Sequence, residues 1–333
     1  MKSQKNLISI IVPVFNEEEN VRALYEAVKK ELEKNSNEFD FEFIFTDNRS
    51  TDSTFTALKD LARSDSRVRA ARFSRNFGYQ KSIYTGFCLA QGNLAIEIDC
   101  DLQDPPELIH TFIAKWKEGY EVVYGVRTQR KENPFMTFVR QSFYKLINLL
   151  SEDELPLDAG DFRLVDRKVL NQLKLTQDAN PYLRGAIASL GFNQIGVPYE
   201  RNERKRGRAK FDLKSMTSLA LDGILNHSVV PLRVATFTGM LVSSALVLYF
   251  LTLSFLSFFF RLEWPRGFAT MSVLILISIS LNAIFLGIIG EYLGRIYRQI
   301  KRYPITVIDQ TINLEGDFEK DSGIEKSNRF VNL

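Results

Sequence analysis

The sequence predicts an α/β domain built on a mostly parallel sheet, joined to a hairpin of two transmembrane helices. Apolar, β-branched runs alternate with helical segments over the first hundred residues, which is typical of a parallel sheet covered by helices on both faces. Residues 234–260 and 267–290 contain no Asp, Glu, Lys or Arg, and each run exceeds the roughly 20 residues that cross about 30 Å of hydrocarbon. The chain therefore combines a polar domain with two apolar spans.

The predicted elements of the polar domain alternate between strand and helix. The pattern gives strands at residues 7–15, 39–46, 68–73 and 94–98, and helices at about 17–34, 53–64 and 81–91. Ligands bind such sheets at the carboxyl ends of the strands, so we expect functional residues directly after each strand. Neither the GxGxxG nor the P-loop pattern is present, so a bound nucleotide would be held in another way.

Length and composition limit the class of protein. The chain has 333 residues, of which 45% are apolar, enough to bury a substantial core. Its 43 basic and 40 acidic residues nearly cancel, which excludes a disordered polyelectrolyte and a strongly basic DNA-binding protein, so we expect no nucleic acid as a partner. The two cysteines, Cys88 and Cys100, have no metal-binding spacing and indicate a reducing compartment.

Basic residues flank the two apolar spans on their outer sides. They are Arg233 before the first span and Arg295, Arg298, Lys301 and Arg302 after the second. Under the positive-inside rule, both termini and the polar domain lie in the cytoplasm, which predicts a multi-pass protein of the cell inner membrane. Small residues in the second span, Gly287, Gly290 and Gly294, permit close helix packing and predict a homo-oligomer.

Four parts follow from these patterns. We expect a cytosolic domain at residues 1–210, an interfacial juxtamembrane helix at 211–232, two transmembrane helices within 233–294 (about 234–260 and 267–293), and a cytosolic C-terminal tail at 295–333. Residues 134–150 and 211–230 carry apolar side chains at helical spacing. Packing in a core and contact with the membrane interface both explain these stripes.

The most specific local pattern begins at Asp99, directly after the strand at residues 94–98. Asp99 and Asp101, with Gln103 continuing the alternation, offer the oxygen ligands that Mg²⁺ or Mn²⁺ takes when it binds a diphosphate. Two aspartates at this spacing also occur in solvated turns and helix caps. The position at a strand end strengthens the interpretation as a metal site and leaves both explanations open.

Two further groups of residues have a functional and an ordinary explanation. A basic run is either a solvated juxtamembrane loop or a site for a lipid phosphate or a leaving diphosphate; it consists of Arg201, Arg204, Lys205, Arg206, Arg208 and Lys210. Asp158 and Asp161 surround a glycine and, by pattern alone, indicate a turn. The only histidines, His110 and His227, are too few for a histidine metal centre.

Seven motifs in order give the sequence a resemblance to a known family. They are IIVPVFNEEEN (10–20), TDNRSTDST (46–54), RNFGYQKSIYTGF (75–87), DCDLQDPPE (99–107), GVR (125–127), DAGDFRL (158–164) and RKRGRAKF (204–211). With the two spans that follow, the chain resembles family 2 glycosyltransferases of the polyprenyl-phosphate type, over about residues 7–303. That group contains dolichol-phosphate mannose synthases and bacterial bactoprenol glucosyltransferases.

The resemblance implies a GT-A (Rossmann-like) nucleotide-sugar domain and assigns roles to residues in the matching motifs. Nucleotide-sugar binding falls to Pro13, Phe15, Asn16, Glu17, Asp47, Arg75, Asp99, Asp101 and Arg127. Metal binding falls to Asp99, Asp101 and Gln103, contacts with phosphate groups to Arg204, Arg206 and Lys210, and the catalytic role to Asp158, as a base or a positioning group. Arg49 departs from the family pattern because a glycine is usual there, and Ala209-Lys210-Phe211 replaces the common Ser-Lys-Tyr.

The expected activity is therefore inverting transfer of a hexose, glucose above all, from a UDP-sugar to polyprenyl (undecaprenyl) phosphate at the cytosolic membrane face. The resemblance also allows a tetramer. Mannosyl or aminosugar transfer to the same lipid is an alternative. A processive polysaccharide synthase would show a QxxRW motif and more spans, and a non-catalytic membrane adaptor would not need Asp99, Asp101 and Asp158.

Overall fold

The computed structural model describes residues 5–128, 159–176, 178, 181–202, 230–260, 267–301 and 303–314. The chain divides into two compact units. Of the described residues, those within 5–202 and 303–314 belong to the first unit, and those within 230–260 and 267–301 belong to the second.

The first unit is built on an eight-stranded sheet. In chain order its strands are β1 (Asn6–Val14), β2 (Phe39–Asp47), β3 (Val68–Phe73), β4 (Leu94–Glu97), β5 (Val122–Arg127), β6 (Ala159–Asp166), β7 (Gln194–Tyr199) and β8 (Ile308–Ile312). Their spatial order is β7-β5-β6-β4-β1-β2-β3-β8. The strands β4, β1, β2 and β3 run parallel, as the sequence predicts, whereas β6 is antiparallel to β4 and β5, and β8 is antiparallel to β3.

Helices cover both faces of the sheet. They are α1 (Val21–Glu33), α2 (Thr54–Ser64), α3 (Tyr79–Leu89), α4 (Leu108–Lys117), α5 (Arg167–Leu175) and α6 (Leu183–Ser189). Neighbouring residues of β1 point to opposite faces, so Ile10 packs in one buried cluster with α1, α2 and α4, and Ile11 in another with α3, α5 and α6. At Gly86, α3 lies so close to β1 that an added Cβ would stand 2.2 Å from Cγ2 of Ile11.

The second unit contains two long helices, α7 (Val230–Phe260) and α8 (Phe268–Ile300), at the positions where the sequence predicts apolar helices. Among the described residues, one window, Ile277–Gly294 in α8, is long and apolar enough to cross a membrane. The two-helix transmembrane hairpin therefore remains a prediction. The side-chain amide of Asn282 in α8 is hydrogen-bonded within the helix, because its Nδ2 donates to the carbonyl oxygen of Ser278 at 2.9 Å.

The residues after the second apolar helix differ from the expected tail. Helix α8 continues to Ile300, beyond the predicted end at 293, and residues 308–312 form the edge strand β8. Leu314 is fully buried beside Phe73 of β3. A five-residue strand with exposed residues at its centre carries too little apolar periodicity for sequence analysis to separate it from a polar tail.

A buried ion pair joins β1, β2 and β3 near the amino ends of these strands. Oε2 of Glu42 accepts from Nη1 of Arg69 at 2.6 Å, and both side chains are 8% exposed. Oε1 of Glu42 accepts from Oγ of Ser9 at 2.6 Å and from the backbone N–H of Gln91 at 2.9 Å. Both carboxylate oxygens are thus hydrogen-bonded.

Replacing Arg69 with methionine is expected to destabilise the first unit strongly, because Glu42 would keep a buried charge without its cation. We expect the Arg69→Met change to lower the free energy of unfolding by about 3–5 kcal/mol. Urea unfolding of the full chain in detergent, followed by tryptophan fluorescence, measures this. Arg63→Met is the matched control, because Arg63 is 79% exposed in its pair with Asp60; equal losses in the two variants would contradict the argument.

Candidate active site

The loops after β1 and β2 form one half of the candidate site. Asn16 follows β1 in a left-handed conformation, with φ at 55°. Its backbone N–H donates to Oγ of Ser50 at 2.9 Å, and its Oδ1 accepts from the backbone N–H of Thr51 at 2.8 Å. The backbone N–H of Glu17 donates to Oγ1 of Thr54 at 2.9 Å. The structure thus joins the segment around Asn16, which the sequence assigns to the nucleoside, to the loop after β2.

Asp47, the last residue of β2, is fully buried beneath that loop. Its Oδ1 accepts from the backbone N–H of Ser50 at 2.9 Å, while its Oδ2 lies 3.4 Å from Nε of Arg72. Arg72 also donates from Nη2 to the carbonyl oxygen of Ser50 at 2.8 Å. Pro13 lies within β1, and Phe15 directly follows the strand. Sequence analysis missed Arg72 because it occupies an ordinary position inside β3.

The predicted metal ligands follow β4 at the same edge of the sheet. Oδ1 of Asp99 accepts from Oη of Tyr79 at 2.6 Å, and its Oδ2 accepts from Nη2 of Arg201 at 3.4 Å. Oδ1 of Asp101 accepts from the backbone N–H of Gln103 at 3.2 Å. Asp99, Asp101 and Gln103 therefore lie in one turn, held between α3 and the segment after β7.

Asp104 is a buried carboxylate of this edge, within the motif at 99–107, to which sequence analysis gave no role. Its Oδ1 accepts a hydrogen bond from Oη of Tyr199 at 2.5 Å and lies 3.5 Å from Nε of Arg201. Nη2 of Arg127, at the end of β5, lies 3.9 Å from its Oδ2. Asp104 thereby positions two arginines, Arg127 and Arg201, beside Asp99. Both arginines belong to motifs that the sequence had singled out.

The antiparallel strand β6 contributes a further carboxylate to this edge, Asp161. Because β6 runs against β4, the first residues of β6 lie at the edge where β4 ends. Oδ1 and Oδ2 of Asp161 accept from Nε and Nη2 of Arg184 at 3.0 and 2.7 Å. Nε2 of Gln80 donates to its Oδ1 at 3.3 Å, and Nη2 of Arg163 lies 3.9 Å from the same atom. The sequence pattern had indicated only a turn at Asp161.

These carboxylates differ in how well nearby positive charge compensates them. Burial, with the nearby charges of Asp99 and Asp161, raises the pKa of Glu97 well above its usual range. Burial and the charge of Asp104 raise the pKa of Asp99 to about 7. Burial acts in the same direction on Asp161, but the guanidinium of Arg184 overcomes it and lowers the pKa of Asp161. Burial and neighbouring acidic groups therefore disfavour the ionised forms of Glu97 and Asp99, whereas Arg184 favours the ionised form of Asp161.

The predicted ligands fit a hard divalent cation bound to a diphosphate. Among the described residues, no group of three or more His, Cys, Asp or Glu side chains is arranged as a self-contained metal site. Mg²⁺ often uses one or two carboxylates together with substrate phosphates, rather than a complete protein cage. Asp99 and Asp101 supply two carboxyl groups in one turn after β4, which suits such an ion.

Most of the remaining predicted site residues lie outside the part of the chain that the structure describes, and one, Arg75, lies within it. Asp158, Arg204, Arg206 and Lys210 lie outside the described residues, as do the amphipathic segments at 134–150 and 211–229. Arg75 is described, but it stacks over the ring of Phe77 at 4.0 Å and donates to the carbonyl oxygen of Asn76 at 3.2 Å. Within the part of the chain that the structure describes, Arg75 makes no contact with Asp99, Asp104 or Asp161.

Comparison with known proteins identifies the family. The model for glycosyl transferase family 2 matches residues 9–174, which include β1 to β4, Asp99 and Asp101. A relative from Bacillus subtilis (strain 168), called uncharacterized glycosyltransferase YkcC, is 40% identical over 310 residues, covering 92% of this chain and 94% of the relative. The chain belongs to glycosyl transferase family 2. Its sheet is the GT-A-like, Rossmann-type fold that the resemblance implied.

Two other proteins are similar to this chain over most of their length. The SfII prophage-derived bactoprenol glucosyl transferase of Shigella flexneri is 36% identical over 305 residues, covering 91% of this chain and 98% of that protein. A crystal structure of glucosyl-3-phosphoglycerate synthase from Mycobacterium tuberculosis is 18% identical with a TM-score of 0.45, covering 66% of this chain and 78% of that one. That score is too low to support a substrate or a metal for this chain.

Arg184→Gln is expected to destabilise this family 2 domain in a pH-dependent way. Because the pKa of Asp161 is lowered in the folded protein, its pairing stabilises fully above the ordinary carboxyl pKa of about 4 and is lost as pH falls through the lowered value. We expect the free energy of unfolding of the variant to be about 3 kcal/mol lower than that of the wild type at pH 7. This difference should shrink as the pH falls below about 4.

Urea unfolding of the wild-type and variant chains in detergent across this pH range measures the difference. Arg63→Gln, on the exposed face of α2, is the control. A loss of stability in Arg184→Gln that stays constant with pH would show that packing, rather than charge, explains the contact.

Proposed function

We propose that this glycosyltransferase moves glucose from UDP-glucose to polyprenyl phosphate, with inversion at the anomeric carbon. The observation that carries this proposal is the 36% identity to the Shigella flexneri protein named as a bactoprenol glucosyl transferase. That similarity covers 91% of this chain, so it is not confined to the catalytic sheet. Bactoprenol is a polyprenyl lipid, and the two apolar helices of this chain are suited to an acceptor that resides in a membrane.

The donor nucleoside is proposed to bind at the loops after β1 and β2. Pro13, Phe15, Asn16 and Glu17 lie in or directly after β1, and Asp47 ends β2. The hydrogen bonds from the Asn16 segment to Ser50 and Thr51 support this assignment, because they fix the backbone of both loops before a ligand arrives. A further role in donor binding is proposed for Arg75.

Asp99, Asp101 and Gln103 would hold Mg²⁺ or Mn²⁺, which when bound supplies positive charge to the diphosphate of the donor and to the leaving UDP. Arg127 and Arg201 add fixed positive charge at the same edge, since Asp104 holds both guanidinium groups beside Asp99. Groups fixed before the reaction stabilise developing charge without reorganisation.

The acceptor phosphate is proposed to attack the anomeric carbon, with its negative charge held by Arg204, Arg206 and Lys210. A phosphate monoester has a second pKa of about 6 and is already largely dianionic at neutral pH. Removal of a proton is therefore not needed for attack. Asp158 accordingly acts as a positioning group for the acceptor or the sugar.

The membrane arrangement is proposed from the sequence pattern. Residues 1–210 form the cytosolic catalytic domain, residues 211–232 an interfacial helix, and residues 233–294 a two-helix transmembrane hairpin. Positive charge on both outer flanks keeps the catalytic domain and both termini in the cytoplasm at the inner membrane. Among the described residues, no atom lies within 4 Å of a Cβ placed on Gly287, Gly290 or Gly294, which leaves room for a second copy in a homo-oligomer such as a tetramer.

Purified full-length protein in detergent is expected to convert labelled UDP-glucose and undecaprenyl phosphate into one glycolipid, only when Mg²⁺ or Mn²⁺ is present. Asp101→Asn is expected to lower the turnover number about 100-fold or more, the range seen when one preorganised electrostatic contact is removed. Asp60→Asn, on the exposed face of α2, is the matched control. Glycolipid formed at the full rate in EDTA would contradict the metal assignment.

A panel of nucleotide sugars tests the donor. We expect the highest kcat/KM for UDP-glucose, scored by the mass of the lipid product. A higher kcat/KM with a GDP-mannose or aminosugar donor would identify that sugar, rather than glucose, as the one transferred. Polymeric product would indicate a processive synthase, and binding of donor without release of UDP would indicate an adaptor.

Asp158→Asn distinguishes a positioning group from a general base. A positioning role predicts a lower kcat with an unchanged pH profile, because no proton transfer at Asp158 limits the reaction. Disappearance of the acidic limb of the kcat–pH profile in this variant would identify Asp158 as the base.

A further inference from the structure

The C-terminal strand β8 places a carboxylate against the loop that follows β2. Asp309 on β8 lies 2.5 Å from Arg49, measured between Oδ2 and Nη1. The two residues are 260 positions apart in the chain, and their side chains are 41% and 45% exposed. The ion pair therefore joins the edge strand β8 to the loop after β2.

Arg49 occupies a position where the backbone itself is unfavourable for a side chain. Its φ is 64°, in the left-handed region that glycine adopts freely and that arginine avoids. This explains why glycine is usual here in the resembling family. An arginine at this position needs a compensating contact, and Asp309 supplies one.

Arg49 lies between the two residues that organise the donor loop. Asp47 accepts from the backbone N–H of Ser50 at 2.9 Å, and Oγ of Ser50 accepts from the backbone N–H of Asn16 at 2.9 Å. A change in the backbone at Arg49 would therefore move both hydrogen bonds. These bonds join the segments to which nucleoside binding is assigned.

Strand β8 is itself firmly attached to the first unit. Oγ1 of Thr306 and Oγ1 of Thr85 on α3 lie 2.8 Å apart, and both residues are buried. The carbonyl oxygen of Val307 accepts from the backbone N–H of Ser74 at 2.9 Å, and Nδ2 of Asn313 donates to the carbonyl oxygen of Val68 at 2.9 Å. Anchors before and after Asp309 hold its carboxylate in place.

We propose that Asp309 is a positioning residue of the donor site, which holds the loop after β2 in its nucleotide-binding conformation through the ion pair with Arg49. The C-terminal strand is then a working part of the donor site. The inference rests on the proposed function, because it requires the nucleotide of the donor to bind at this loop.

Asp309→Asn keeps the size of the side chain and removes its charge. An exposed ion pair changes an equilibrium only about threefold to fivefold, so we expect the Kd for UDP and the KM for UDP-glucose to rise by about that factor, with kcat unchanged. The difference from wild type should shrink between about 0.05 M and 1 M salt, because salt screens exposed charges. Isothermal titration and initial rates with the full chain in detergent measure these quantities.

Two further variants separate positioning from a general effect on folding. Thr311→Ala, at an exposed residue of the same strand, is expected to leave Kd and KM at wild-type values. The double variant Arg49→Asp/Asp309→Arg reverses the pair and is expected to restore the wild-type Kd, since aspartate tolerates the left-handed conformation better than arginine does.

The outcomes distinguish this inference from the proposed function. If wild-type protein binds UDP and transfers glucose, but Asp309→Asn has an unchanged Kd and KM, the positioning role is overturned while the activity stands. If Asp309→Asn is weakened and the reversed pair gives no recovery, the charge interaction is likewise rejected. If wild-type protein binds no nucleotide at all, the donor site and its positioning residue fail together.

Discussion

Burial of several carboxylates at one edge of the sheet is the constraint on which the site depends. Glu97, Asp99, Asp104 and Asp161 converge there, and a buried charge is costly unless a partner offsets it. The partners come from elements far apart in the chain: Arg184 from α6, Tyr199 from β7 and Arg201 just beyond it. Reversal of β6 is part of this solution, because an antiparallel strand brings its first residues, including Asp161, to the edge where the parallel strands end.

Sequence analysis predicted what depends on local pattern. Periodicity predicts the four parallel strands β1 to β4 and the helices between them. The geometry of parallel sheets leads to the expectation that functional residues follow the strands. Sequence analysis gave no role to Asp104, although that residue lies in the motif at 99–107, and it did not find Tyr199, Arg184 or Arg72. These residues matter because they pair with partners that are distant in sequence; Tyr199 and Asp104, for example, are 95 positions apart. The local pattern of a single strand or helix does not predict such pairs.

Arg49 departs from the family pattern, and its contact with strand β8 gives a tertiary explanation for that departure. The resemblance to the family marked Arg49 as unusual, and the sequence pattern assigned the residues around Asp309 to a cytosolic tail. The structure joins the two observations in one ion pair, with a left-handed backbone on one side and an edge strand on the other. Neither residue predicts the other from sequence, because β8 is too short to be recognised and an exposed aspartate is common.

The two edges of the sheet differ in whether their polar groups are satisfied. Near the amino ends of β2 and β3, Glu42 and Arg69 hydrogen-bond to each other and Glu42 to further donors, as a structural pair should. Among the described residues, the buried side-chain atoms without a hydrogen-bond partner belong to the opposite edge: Asp47, Arg72, Glu97, Asp104 and Arg201. Folded proteins rarely leave buried polar atoms unsatisfied without a reason. Several of them face an opposite charge at 3.4 to 3.9 Å, as Asp47 faces Arg72 and Asp104 faces Arg127 and Arg201. The edge with incomplete hydrogen bonding is thus the one at which the donor is proposed to bind, whereas the edge with complete hydrogen bonding has a purely structural pair.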